Sequence, residues 1–292
     1  YYDAGDYQKA LATLDTSILI NKRINSYNAK IKNADLYKFI GRVNNDKGKP
    51  REALDAFLKS ADLYKNNSDA ANRAIVENDI AYSHYLLGEY RTAMQFADSA
   101  LTRLLKAGDY NNAGYSRTVK GGCYWELGNY DSAVLLHKEA IALRKKSNNL
   151  SGQAFSWKKT GVLYLLSGLK PQALNAFDSA ANIYATLKDS SGLAEIYNKK
   201  GEVYLNDDSY KKAANFFEKA KGVNNKTTVE ALYNLGNAWE AIDTIKARRY
   251  YEASRDTSKK TGNTNYQFYA TKALAYLAYG SHDLAKGTLL YN

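Results

Sequence analysis

The sequence predicts an all-α fold, a solenoid of stacked antiparallel helix pairs, from three observations. Four short segments, Gly88-Glu89-Tyr90, Gly128-Asn129-Tyr130, Gly168-Leu169-Lys170 and Asp208-Ser209-Tyr210, recur at a spacing of 40 residues. Each is followed at a fixed distance by an alanine (Ala93, Ala133, Ala173, Ala213) and preceded by seven residues by a small one (Ala81, Gly121, Gly161, Gly201). Large and small residues between these markers fall at offsets of three, four and seven, the periodicity of one helix face.

Taken in order, the first unit reads Gly5, Tyr7, Ala10 and Leu14, and lacks most of its opening helix. The second reads Tyr37, Gly41, Gly48, Ala53 and Phe57. The third places Ala81 and Ala93 around the turn at Gly88, and the fourth reads Arg117, Gly121, Tyr124, Gly128, Tyr130, Ala133 and Ala140. In the fifth, Trp157, Thr160, Gly161 and Tyr164 share one helix face. Ser167-Gly168 marks a turn, and Pro171 suits the first turn of the next helix, whose face carries Ala173, Phe177 and Ala180. A polar stretch, Lys188-Asp189-Ser190-Ser191-Gly192, reads as the turn to the sixth unit at Tyr197, Gly201, Tyr204, Ala213, Phe217 and Ala220. The seventh carries Leu235, Gly236 and Trp239, then Ala247 and Tyr251 with a one-residue slip. The eighth reads Tyr269, Ala273, Tyr276, Gly280, Ala285 and Leu289. About fifteen helices and no strands are expected, with the slipped seventh unit among the weakest.

The order large residue, Gly or Ala, aromatic, Gly-x-Tyr, Ala, aromatic, Ala resembles the tetratricopeptide repeat. Trp157, Gly161, Tyr164, Gly168, Ala173, Phe177 and Ala180 follow that motif closely, and its recurrence along nearly the whole chain makes the resemblance specific. The resemblance implies a right-handed superhelix whose first helices line a concave groove. The usual period is about 34 residues. The additional residues here are expected to lengthen both helices and the turn between repeats. The prolines that often end such repeats are missing, since the chain has only Pro50 and Pro171.

A solenoid of 292 residues is predicted as one domain, 1–292, because each repeat touches only its neighbours. No run approaches the eighteen apolar residues of a membrane span. The chain opens on Tyr1-Tyr2 and closes on Leu289-Leu290-Tyr291 without a polar capping helix, so it reads as a fragment whose signal, anchor or effector domain lies elsewhere. One cysteine allows no internal disulfide, and the compartment, cytoplasmic or periplasmic, stays open.

Candidate chemistry is sparse. His84, His137 and His282 each replace a framework aromatic in a different repeat, which reads as packing rather than a metal or catalytic cluster. Cys123 sits mid-helix beside Gly121-Gly122 with no activating partner at helical spacing. Gly108, Gly152 and Gly192 are assigned to turns between repeats, so no phosphate loop, cofactor or metal site is predicted and the chain is not read as an enzyme. The net charge of +11 is spread over runs such as Arg144-Lys145-Lys146 and Lys158-Lys159, read as solvated surface. With no continuous basic stripe, nucleic acid is a disfavoured partner.

The groove is therefore the expected site. Positions one after, four after and three before the small residue of each first helix should face it. The partner-binding candidates are Lys38, Arg42, Asn78, Tyr82, Tyr85, Thr118, Trp125, Lys158, Asn198, Tyr233 and Asn237. Tyr82, Tyr85 and Trp125 are expected to approach one another as aromatic anchors, flanked by Lys38, Arg42 and Lys158. This favours an extended peptide or protein segment with aromatic or aliphatic anchors and acidic flanks. Two functions follow: a non-catalytic protein- or peptide-binding scaffold, or a sensory input module of a bacterial kinase or transcription regulator. The Asp98-Ser99-Ala100 and Asp178-Ser179-Ala180 signatures resemble those of repeat arrays on such regulators.

Overall fold

A computed structural model describes residues 7–24, 26–66 and 69–280. Fourteen helices and no strand occur among them. The eighth unit is described only through α14; the positions assigned to its second helix, and His282, lie outside the described residues, as does Gly5.

The chain forms two compact units, Tyr1–Ser156 and Trp157–Asn292. The first contains α1 (Tyr7–Ile24), α2 (Tyr27–Asp46), α3 (Pro50–Asn66), α4 (Ala70–Leu86), α5 (Tyr90–Lys106), α6 (Tyr110–Glu126), α7 (Tyr130–Lys146) and the start of α8 (Leu150–Leu166). The second contains the rest of α8, then α9 (Lys170–Thr186), α10 (Ser190–Leu205), α11 (Tyr210–Ala220), α12 (Asn225–Glu240), α13 (Thr244–Thr261) and α14 (Thr264–Gly280).

Helices α4 to α9 are each 17 residues long and begin every 20 residues. The 40-residue repeat is thus two equal halves. Its extra length lies in the helices, whereas the turn between repeats, expected to be longer, is as short as the turn within them: Ala107–Asp109 matches Leu87–Glu89. The reason is a shared turn chemistry. A left-handed residue stands at 88, 108, 128, 148, 168, 188 and 208, filled by glycine except at Asn148, Lys188 and Asp208. Such a residue closes a helix C-terminus by turning the next amides back onto its last carbonyls; Glu89 N donates to His84 O at 2.9 Å. The next first helix is then capped by Asp69, Asp109, Asn149 or Asp189, each accepting from the amide three residues on.

That capping corrects the assignment of Gly152 and Gly192 to turns. Both lie in the first turn of a helix, where each receives a side chain from the preceding second helix, Arg144 and Tyr184 respectively. The one-residue slip near Ala247 falls between α12 and α13, whose starts at Asn225 and Thr244 are 19 residues apart instead of 20. A separate shortening precedes it: α11 stops after 11 residues, and α12 starts 15 residues after α11 begins.

Within the first unit α2 packs on α3, α4 on α5 and α6 on α7, and the first helices also touch in sequence, α2 to α4 and α4 to α6. In the second unit α10 touches α12 and α12 touches α14 in the same way. First helices therefore line the inner side of each unit. The core between the two layers is built on alanine and aromatic residues, with Phe57, Tyr64, Phe177, Phe217 and Tyr251 fully enclosed.

Candidate functional site

The first helices are joined by polar rungs with a sequence separation close to one repeat. In the first unit Arg42 Nε and Nη2 donate to Asp79 Oδ2 at 3.1 and 2.9 Å, and Asn45 Nδ2 donates to Ser83 Oγ at 3.1 Å. Asn78 Nδ2 donates to Asn112 O at 2.9 Å, while its Oδ1 accepts from Ser116 Oγ at 2.7 Å. In the second unit Lys158 meets Glu195 at 2.5 Å and Asn198 Nδ2 donates to Thr227 O at 3.2 Å. Where the repeat is 40 residues long, side chain meets side chain at i+37 or i+38 of the next first helix, and Asn78 reaches the Asn112 carbonyl at i+34. The Asn198 rung spans 29 residues because the chain is shorter before α12.

This geometry sorts the predicted site residues. Asn78 and Asn198 are buried and hold adjacent first helices together, so their amides face a neighbouring backbone rather than an open groove. Lys158 belongs to the Glu195 rung. Lys38 pairs with Asp35 at 2.8 Å and lies over the Tyr64 ring, and the Thr118 hydroxyl donates to Gly114 O within its own helix. Asn237 Oδ1 accepts from the Tyr251 hydroxyl at 2.7 Å, and Tyr233 packs among Tyr251, Tyr266 and Tyr269.

Arg42, Tyr82, Tyr85 and Trp125 remain on the inner side of the first unit, the last three half-buried. The Tyr82 and Tyr85 rings stack at 5.9 Å, and the Tyr85 hydroxyl donates to Glu126 at 3.0 Å. Gly122 lies against the Tyr85 ring, and Trp125 follows one turn later on the same helix face.

Beside this aromatic pair is a cavity of about 410 Å³. Arg42, Asn45 and Asp46 of α2 form one wall, with Ile75, Asp79 and Tyr82 of α4 at its floor. Asn111, Asn112 and Tyr115 of α6 form the other wall, closed by Arg144 and Asn149. Tyr115 lies 6.4 Å from Tyr82, ring to ring. Burial pushes the Asp79 carboxyl above its usual value despite the Arg42 charge beside it. Burial likewise raises the Tyr115 hydroxyl and lowers the Arg144 guanidinium.

Tyr115 and Arg144 are not among the residues expected at the groove. Arg144 falls in a basic run whose pattern implies solvated surface, yet it is only 6% exposed. A signal was present. Its slot in the repeat, 64, 104, 144 and 184, holds Tyr, Leu, Arg and Tyr, and the other three are buried.

The remaining candidate chemistry is packed away. His137 is buried against Gly121 in the slot that Phe177 and Phe217 occupy, and His84 stacks on Phe96 and meets Glu89 at 2.6 Å. Burial pushes the Cys123 thiol up to about 11, so its thiolate is disfavoured at neutral pH. No helix among the described residues is long and apolar enough to cross a membrane.

The fold is a helical-repeat solenoid similar to tetratricopeptide repeat arrays. The tetratricopeptide repeat family model matches residues 72–146. No curated protein matches the chain by sequence. Among solved structures, the apo form of the quorum sensor NprR from B. thuringiensis is similar with a TM-score of 0.73 at 16% identity, covering 99% of this chain and 82% of that one. A STAND signal-transduction ATPase from Pyrococcus horikoshii with a tetratricopeptide repeat sensor is similar with a TM-score of 0.74 at 12% identity. It covers 99% of this chain, which spans 48% of that protein. A Rap protein complexed with Competence and Sporulation Factor is similar with a TM-score of 0.58 at 13% identity, covering 98% of this chain and 91% of that one. These likenesses establish the fold.

Proposed function

We propose that this chain is a non-catalytic peptide- or protein-binding module, and that its partner docks on the inner face of the first unit. The observation that carries this reading is the cavity of about 410 Å³ bounded by α2, α4 and α6, with Tyr82 and Tyr115 beside it and asparagines on its walls. Half-buried aromatic rings supply contact area at low entropic cost, and amides offer both donors and acceptors to an extended backbone. In the second unit the equivalent face is occupied by the chain's own ion pairs, Lys158 with Glu195 and Lys199 with Glu202 and Glu230.

The second reading, a sensory input module of a signalling protein whose effector lies outside this chain, deepens the first. It draws support from likeness to a quorum sensor and to a protein described as carrying a tetratricopeptide repeat sensor. The full-length reading frame separates the two.

Panning a displayed random-peptide library against the chain tests the binding reading. Enriched peptides should lose about 2 kcal/mol or more of affinity with Tyr82→Ala or Trp125→Ala if these side chains are anchors. The melting temperature of each variant separates lost contact from lost fold. Peptides whose binding survives Tyr82→Ala, Trp125→Ala and Arg42→Ala unchanged would place the docking surface elsewhere.

A further inference from the structure

We infer that Arg144 is the anion-recognition residue of the first unit's cavity, and that it receives a carboxylate of the docked peptide. This rests on the peptide-binding reading above and adds the chemistry of the ligand.

Arg144 arises from α7, a second helix, yet its side chain passes inward to line a cavity bounded by first helices. The route exists because two residues beside it lack side chains. A Cβ on Gly152 would stand 2.6 Å from Arg144 Cδ, and one on Gly114 would stand 3.0 Å from its Cγ. At the end of that route Nη1 donates to Gly152 O at 3.0 Å and to Ser156 Oγ at 2.6 Å. Both acceptors are neutral. Nε is buried and meets no acceptor, and no carboxylate among the described residues forms an ion pair with the guanidinium.

The glycine at 114 sets this repeat apart from its neighbours. Its slot is Ala74, Ala154 and Ala194 elsewhere, all buried, whereas Gly152 has a counterpart in Gly192 and Ser156 has one in Ser116, with Val76 and Ile196 in two other repeats. Where the large core residue is Leu104 or Tyr184, a methyl group stands at the Gly114 position. Glycine appears there only in the repeat that carries Arg144. The local sequence is fitted to this one charge.

An isolated buried guanidinium without a counter-charge is destabilising, because burial removes its hydration and neutral acceptors replace only part of it. The other charges on the cavity do not remedy this. Asp79 is engaged by Arg42 on the opposite wall, and Asp46 is exposed at the α2 end. A ligand carboxylate would supply the missing charge, and the planar guanidinium fork matches carboxylate geometry.

The test uses a panel of hexapeptides enriched on the chain, each made in three forms: free acid, C-terminal amide, and Asp/Glu replaced by Asn/Gln. The key variant combines Arg144→Leu with Gly114→Ala. It recreates the Ala74 and Leu104 pairing of the preceding repeat and is expected to fold, with a melting temperature at or above that of the parent. We expect the parent to bind carboxylate-bearing forms at least about tenfold more tightly, or roughly 1.4 kcal/mol, and the double variant to lose that preference. The form whose loss matters identifies the source, a terminal or a side-chain carboxylate. Peptides that bind the parent equally in all three forms would overturn the inference and leave the binding reading standing. A preference that persists in the folded double variant would also overturn it. A panel with no binder at all would remove both.

Discussion

Phe177 lies so close to Gly161 that a Cβ on residue 161 would stand 2.6 Å from its ring. The same contact recurs at Gly41 with Phe57, Gly201 with Phe217 and Gly236 with Tyr251, at 2.5, 2.3 and 2.3 Å. Where the second-helix residue is smaller, the constraint relaxes. Gly121 would place a Cβ 3.2 Å from His137, and in the third repeat both partners are alanine, Ala81 and Ala97, and both are buried. Ring size on the second helix thus decides whether the first helix can carry a methyl group.

Gly161→Leu should overpack this contact and destabilise the protein by about 1–3 kcal/mol. Phe177→Ala should cost about 3–5 kcal/mol through the cavity it leaves. Adding Gly161→Ala to Phe177→Ala should recover part of that loss, since the pair then matches Ala81 and Ala97. A double-mutant cycle from denaturant midpoints measures the coupling. Simple additivity would mean that the two side chains do not share a packing site.

Lys188 holds a left-handed backbone, φ 55°, in the slot that glycine fills at 88, 108, 128 and 168. Lys188→Gly should stabilise the protein by roughly 0.5–1 kcal/mol, the relief of the left-handed penalty less the added chain entropy of glycine. Gly168→Ala should shift the melting temperature the other way.

Glu195 provides a pH test of the rung geometry. Burial pushes its carboxyl up, but Lys158 at 2.5 Å and Lys226 at 3.6 Å outweigh this and hold it below its usual 4.5. Because the folded value is the lower one, the contribution to stability is present above about pH 4.5 and is lost as pH falls through the folded value. Glu195→Gln should therefore weaken the protein at neutral pH, with the two stability curves converging in acid. Urea titrations across that range read the effect, and parallel curves would exclude an ionic rung.

Helix α11 is 11 residues long against 17 for α9, and it is followed by the segment Lys221–Asn224. Fewer helical turns and fewer packed side chains lower the free energy of local opening. Amide hydrogen exchange should be faster through α11 than through α9. By contrast, α12 and α13 keep the Gly236 and Tyr251 contact, so the slipped seventh unit should exchange more slowly than α11. Equal protection of α9 and α11 would show that the shortened helix is not a weak point.

The repeat, its register and its packing pairs were legible in the sequence. Gly161, Phe177, Ala173 and their equivalents meet within one helix pair, and short-range periodicity is enough to place residues on facing stripes. The groove was legible only in part. Tyr82 and Arg42 line the cavity, whereas Asn78 and Asn198 are enclosed between first helices. Whether an inward-facing polar residue meets solvent or the next repeat depends on how it sits against the next first helix, a contact between helices that periodicity within one helix does not specify. Arg144 was hidden for a related reason. Its neighbours in the chain are exposed lysines, while its surroundings, Gly114, Gly152, Ser156 and Tyr115, come from other helices. The sequence by itself determined the helices and the pairs they form. The tertiary structure alone decided which polar groups those pairs enclose and which they leave facing the cavity, because burial is a property of neighbours brought together by folding.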